Sequence, residues 1–161
     1  MSLINHRRRS DRWHGASQKM GQSAAPLFLD RIDIQCEITP VPFKDISKAA
    51  QGEPSAEIRK RVIRAREIQA ERFSGQKGIH CNAQMSERMI HQYAEPDEAG
   101  ISILRMAMER LSLSARAYNR ILKVARTIAD LEGCEHVESH HLAEAIGYRT
   151  LDRGDWAERG I

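Results

Sequence analysis

Apolar positions along this chain change their period near its first third. From Arg31 to Ile38 they fall on every second residue (Ile32, Ile34, Cys36 and Ile38, with charged or polar neighbours between), the alternation of a half-buried strand. Pro40 and Pro42 break that pattern. One short strand is not stable alone, so it either lies against the rest of the chain or joins a sheet that the chain does not contain. From residue 54 to about 150 the spacing becomes helical. Pro54-Ser55 predicts a helix with Ser55 as N-cap, running to about Phe73 with Ile58, Val62, Ala65 and Ile68 inward. A glycine-containing loop from Ser74 to Asn82 follows, then a short helix from about Ser86 to Tyr93. Pro96-Asp97-Glu98 opens a third helix, with proline and acids where the macrodipole favours them, and turns Ile101, Leu104, Met108 and Leu111 inward. The last helix runs from about Glu138 to Gly147 and buries Leu142 and Ile146.

Between these lies the run from Ser112 to Leu131, the fourth helix, ending near Gly133. Ala117, Ile121, Val124, Ala125 and Ile128 form its stripe for burial. At roughly 100° per residue, Arg116, Arg120 and Lys123 fall within about 60° of one another on a different face. Three cations on one helix edge repel each other unless they meet solvent or an anion. A phosphate is therefore the first ligand to consider. Five helices joined by short loops predict a compact, mainly α bundle with one short strand near the N-terminus.

Composition narrows the classes. A length of 161 residues fits one domain with a flexible extension. The net charge of +3 is mild, so local clustering of arginine carries more meaning than the total. No apolar run has the length of a membrane span and nothing resembles a secretory signal, which with three widely spaced cysteines (Cys36, Cys81, Cys134) suggests reduced thiols in a cytoplasmic protein. Residues 1–25 are polar and aperiodic and include His6-Arg7-Arg8-Arg9, the composition of a disordered arm that is solvated, vector-derived or in contact with nucleic acid. Arg59, Lys60, Arg61, Arg64 and Arg66 crowd the first helix. Glu57 and Glu67 offset them through pairs such as Glu57 with Arg61, leaving a solvated face or, second, a surface for nucleic acid.

The search for self-contained chemistry returns little. There is no G-x-x-x-x-G-K-[ST] loop, no G-x-G-x-x-G and no G-x-S-x-G. Cys134, His136, His140 and His141 form a metal-like cluster whose spacing is looser than zinc sites show, and His140 and His141 read as surface residues or caps at a helix start. No metal ligand is assigned. Cys81 beside His80 lacks the facing geometry and orienting third group of a nucleophile and base.

Several ordered motifs resemble a known family. They are Leu29-Asp30-Arg31-Ile32-Asp33-Ile34, Ser55-Ala56-Glu57-Ile58-Arg59 leading to Arg66-Glu67-Ile68-Gln69, and Asn82-Ala83-Gln84-Met85. Further along come Leu113-Ser114-Ala115-Arg116-Ala117-Tyr118, the run Arg120 to Leu131, and His141-Leu142-Ala143-Glu144-Ala145-Ile146. From Pro26 to about Arg153 the chain resembles the C-terminal part of the magnesium-chelatase-like AAA+ ATPases, in the ComM (YifB) branch of competence-related proteins. Upstream of Pro26 the resemblance stops. The segment Ala25-Pro26-Leu27-Phe28-Leu29-Asp30-Arg31 also departs from the family's Gly-Pro-Leu-Leu-Asp-Arg by an extra residue and the missing glycine.

The resemblance implies that residues 26–53 end the α/β core, that residues 54–150 are the helical lid over its nucleotide, and that residues 151–161 are a flexible tail. It implies that Arg116 holds the sensor-2 position and bonds to ATP phosphates, a role suited to a planar guanidinium at a helix start. It implies that Arg31 is an arginine finger for the nucleotide of a neighbouring subunit. Arg120 and Lys123, on the same cationic edge, are placed with Arg116 among the nucleotide-binding residues, where they support it, contact a neighbouring subunit or face solvent. The implied parent binds ATP and Mg2+ through an AAA+ core, forms a ring, expected to be a hexamer, and works on DNA in recombination and natural transformation. The chain as it stands lacks both Walker motifs and is not expected to hydrolyse ATP. Two other readings stay open: a chelatase-type motor acting on a protein or porphyrin partner, and a free-standing helical module that binds DNA or protein.

Overall fold

The computed structural model describes residues 31–36 and 52–149. The expectations for residues 1–25 and 151–161, and for the strand residues 37 and 38, lie outside the described residues. Five α-helices and one 3₁₀ turn make up the described part: α1 (Ser55–Arg72), the 3₁₀ turn (Asn82–Gln84), α2 (Glu87–Tyr93), α3 (Glu98–Leu111), α4 (Ala115–Glu132) and α5 (Ser139–Gly147). α4 is the hub. It touches α1, the 3₁₀ turn, α2 and α5, while α3 packs on α5.

The ends of α4 explain why it starts and stops where it does. Ser114 is extended, and its hydroxyl accepts the Ala117 N–H at 3.1 Å, satisfying one of the donors a helix start leaves open. At the other end Gly133 adopts φ 77°, the left-handed turn that lets its N–H and that of Cys134 close back on Asp130 and Ala129 carbonyls. The expected stripe is observed: Ala117, Ile121, Ala125 and Ile128 are buried and Val124 packs beside them. Ile121, Ala125, Ile128 and Val124 meet Leu104 of α3, Ile90 of α2, Leu142 and Ala145 of α5, Phe73 and Met85 in one core.

Four expectations are corrected. Residues 31–36 form no strand, nor is there one elsewhere among the described residues; the main chain of this segment bonds to that of the body at one place, Gln35 N–H to the Tyr148 carbonyl at 3.0 Å. Its apolar alternation has no neighbouring strand to pair with among the described residues, and Ile34 is half exposed at 50 %. On α1, Ile58 and Val62 are exposed rather than inward, because α1 contacts the body only along its second half; Ala65 and Gln69 are its buried residues. Helix α1 also starts after Pro54, with no side-chain cap from Ser55. On α3, Ile101 is exposed because Gly100 takes the inward position: a Cβ there would lie 2.6 Å from Leu142 Cδ1. Leu104 is buried as expected, with Met108 and Leu111 half-buried.

Candidate functional site

Arg116 lies in the first turn of α4, two residues after the Ser114 cap, and is exposed. Arg120 and Lys123, on the same edge, each hold groups of the protein. Arg120, one turn further along, donates through Nη1 to the Arg31 carbonyl at 2.7 Å and to Asp33 Oδ1. Lys123 Nζ donates to the Ala83 carbonyl at 2.9 Å, and burial pulls its ammonium below the ordinary lysine range, with Asp33 opposing and Arg120 adding to the effect. The structure thus brings Arg120 and Asp33 together, ties Lys123 to the 3₁₀ turn, and leaves Arg31 with its side chain exposed and its carbonyl held.

Beneath this edge lies a polar cluster that apolar periodicity does not reveal. Asp130 is fully buried on α4. Arg72, the last residue of α1, grips it with both nitrogens, Nη1 to Oδ2 at 2.7 Å and Nη2 to Oδ1 at 2.5 Å. Arg126 Nε, one turn back, donates to Oδ1 at 3.1 Å, and Asn82 Nδ2 donates to Oδ2 at 2.7 Å. Arg126 also donates to the carbonyls of Cys134 and Glu135 at 2.6 Å each, so it holds the α4–α5 connection. Asn82 completes the cluster through Thr127 Oγ1 at 3.1 Å, and its main-chain N–H donates to Gln69 Oε1 at 3.3 Å. Burial alone would raise the Asp130 carboxyl; the bonds from Arg72 and Asn82 and the charges of Arg126 and Arg72 outweigh it and leave the carboxyl below its ordinary value. Arg126 is lowered, chiefly by burial, against the pull of Asp130. The signal available in sequence was the i,i+4 pair Arg126–Asp130 on the inward side of α4, next to the small residues Ala125 and Ala129 that leave room for it.

The histidines divide. His140 is exposed, whereas His141 is fully buried and caps α5: the Glu138 N–H donates to His141 Nδ1 at 2.9 Å. That bond fixes the tautomer, since a neutral ring accepting at Nδ1 carries its proton on Nε2. His141 Nε2 lies 3.1 Å from Glu132 Oε2, and His140 Nε2 lies 3.0 Å from the same oxygen. Glu132, His140 and His141 have ligand atoms within 4.8 Å of one another. Coordination through His141 Nε2 would, however, cost the proton that bonds Glu132, so the geometry is that of a capped helix start held by a carboxylate. Cys134 and His136 are not part of this trio; they line an open cleft of about 970 Å3 with Arg72, Arg126, Glu95 and Asp97, which none of Arg31, Arg116, Arg120 or Lys123 lines. All three cysteines carry free thiols. Cys81 Sγ and the His80 N–H both point to Gln84 Oε1, at 3.6 and 2.8 Å, and the His80 residue is otherwise exposed, so the two do not form a nucleophile–base pair. On α1, Glu57 pairs with Lys60 at 2.8 Å, and Arg61 pairs with Glu53 rather than with Glu57.

Among the described residues, five helices centred on α4, with an exposed arginine at its start and a buried Arg–Asp–Arg cluster at its end, define a small helical module. A family described as magnesium chelatase, subunit ChlI C-terminal, matches residues 52–149. The chain belongs to this family. It is 41 % identical over 127 residues to the competence protein ComM of Haemophilus influenzae, covering 78 % of this chain and 24 % of that protein. Over the same length it is 42 % identical to the uncharacterized protein YifB of Salmonella typhimurium and 39 % identical to YifB of Escherichia coli, with the same coverage. The chain therefore spans about a quarter of the length of the curated relatives it matches. No helix among the described residues is long and apolar enough to cross a membrane.

Proposed function

We propose that this chain is the lid of a magnesium-chelatase-like AAA+ ATPase of the ComM/YifB branch, and that it supplies Arg116 to a nucleotide held by the core of a longer parent. The observation that carries the reading is the position of Arg116, exposed in the first turn of a capped helix within the motif shared with the family. A guanidinium there suits phosphate oxygens in shape and charge, and the helix start adds favourable potential. This side of a nucleotide site fits ATP. A phosphate-cradling loop and carboxylates for Mg2+ belong to the core. Bound ATP would supply the phosphoryl group to be transferred, with Mg2+ neutralising its charge.

In this reading Arg31 acts as an arginine finger toward a neighbouring subunit. Arg120 and Lys123 act behind Arg116 through the protein groups they hold. The parent is a cytoplasmic ring motor, a hexamer, working on DNA during recombination of incoming strands, in line with the name of the Haemophilus relative. Two measurements test it. The reading frame upstream of this chain should encode a Walker loop and its acidic partner motif; a stop codon with no core contradicts the reading. ATP turnover by the parent should rise with forked DNA, and the rise should fade steeply as salt increases, because phosphate contacts release counterions. Turnover indifferent to DNA but raised by a protein or porphyrin partner would favour a chelatase-type motor instead.

A further inference from the structure

The segment bearing Arg31 is not paired into a sheet, yet it is fixed at successive residues. Arg120 Nη1 from α4 holds the Arg31 carbonyl at 2.7 Å and the Asp33 carboxylate. Arg149, buried to 1 % just beyond α5, donates through Nη1 to the Ile32 carbonyl. The Gln35 N–H closes on the Tyr148 carbonyl at 3.0 Å. Two arginines from different helical regions thus grip the main chain of one short stretch, while the Arg31 side chain stays exposed. Arg120 and Arg116 are one turn apart on the same helix.

We infer that Arg120 is a positioning residue: it clamps the Arg31 segment to α4 while Arg149 holds the same segment to the end of α5, so that the helix carrying Arg116 and the chain carrying Arg31 move as one piece. The inference rests on the reading of Arg31 and Arg116 as nucleotide-facing residues and assigns Arg120 a different task from theirs. Both bonds come from Nη1, so the guanidinium is oriented by the segment it holds. Held where it is, its guanidinium converts a displacement of the start of α4 into a displacement of the Arg31 main chain. Rigid clamping matters for such a residue because a reacting geometry lost by about an ångström costs on the order of a hundredfold in rate.

The clamp is tested by amide hydrogen exchange on the 161-residue chain, followed at Gln35. Arg120→Ala and, separately, Asp33→Ala should each speed exchange of that amide by about tenfold, the local opening expected when a charged hydrogen bond is lost. Asp33→Ala alters no helix and guards against a folding artefact. Unchanged protection in both variants overturns the clamp. In the parent ATPase, Arg120→Ala should lower kcat and leave the KM for ATP unchanged, and Arg120→Glu combined with Asp33→Arg should recover part of the loss. A raised KM with kcat intact would overturn the inference by making Arg120 a phosphate ligand. If Gln35 loses protection while Arg31→Ala leaves turnover unchanged, the finger reading fails and the clamp stands.

Discussion

Asp130 sits with no exposure between Arg72 and Arg126, and its four bonds come from α1, the 3₁₀ turn and its own helix. Removing its charge leaves two arginines, 12 % and 2 % exposed in their side chains, facing a neutral group. Asp130→Asn should therefore cost about 3–5 kcal/mol, the range for one partner lost from a buried pair, read as a lowered denaturant midpoint. The same carboxyl sets a pH dependence. Its folded value is depressed, so its contribution is complete above the ordinary value of 3.8 and is lost as pH falls through the lower folded value. Melting temperature followed downward from pH 5 should drop more steeply in the native chain than in Asp130→Asn. His140 and Glu132 act in a different window. The bond between them, the leading cause for both groups, raises the imidazole above 6.5 and lowers the carboxyl below 4.5. The His140 contribution is complete below 6.5 and lost as pH rises through its raised value, and the Glu132 contribution is complete above 4.5 and lost as pH falls through its lowered one. His140→Gln should flatten the shallow decline in melting temperature above pH 6.5 and, by removing the leading cause of the lowered Glu132 carboxyl, weaken the Glu132 part of the acid limb. Single residues of this kind were the least legible in sequence. Arg126 and Asp130 lie within a run recognised as a motif, but the Asp130 carboxylate is also bonded by Arg72 and Asn82, respectively 58 and 48 residues distant from it in the chain. Periodicity within one helix carries no information about such partners.

Helices fared better because their signals are local. The Ser114 cap, the terminating Gly133 and the apolar stripe of α4 all read directly from residues within one element, and the structure forms each of them. Asp97 likewise caps α3, accepting the Gly100 N–H at 2.7 Å. What failed is the choice of face where a helix is only partly covered. The first ten residues of α1 are all exposed, so Ile58 and Val62 keep helical spacing without a core to face. On α3 a glycine marks the buried side, a signal opposite to the one an apolar stripe provides. Gly100→Val should crowd Leu142, Pro96 and Asp97, whose nearest atoms lie 2.6, 2.9 and 3.0 Å from an added Cβ, and destabilise by about 1–3 kcal/mol. Ser114→Ala should cost about 1 kcal/mol through the lost cap. Both are read by chemical denaturation, and a neutral Gly100→Val would show that α3 and α5 are not in close contact.

At the scale of the molecule, the described bundle is one module of a chain whose matched relatives are about four times as long as the region they share with it. The family was legible in sequence through ordered motifs, and the bundle explains why several of them go together. Asn82, Arg126 and Asp130 form one buried cluster, His141 caps the helix that its motif opens, and Arg120 reaches back to Asp33. The strand that alternation suggested near Ile32 is absent from residues 31–36, since alternation reports exposure on two sides and not the presence of a neighbouring strand. Arg116 is the residue through which this module would act on a nucleotide, and its substitution tests the central claim most directly. In the parent ATPase, Arg116→Ala should lower kcat/KM for ATP by about ten- to a hundredfold, corresponding to a charged hydrogen bond of about 1.5–3 kcal/mol, with the melting temperature unchanged. Unaltered turnover in a folded Arg116→Ala variant would contradict the account.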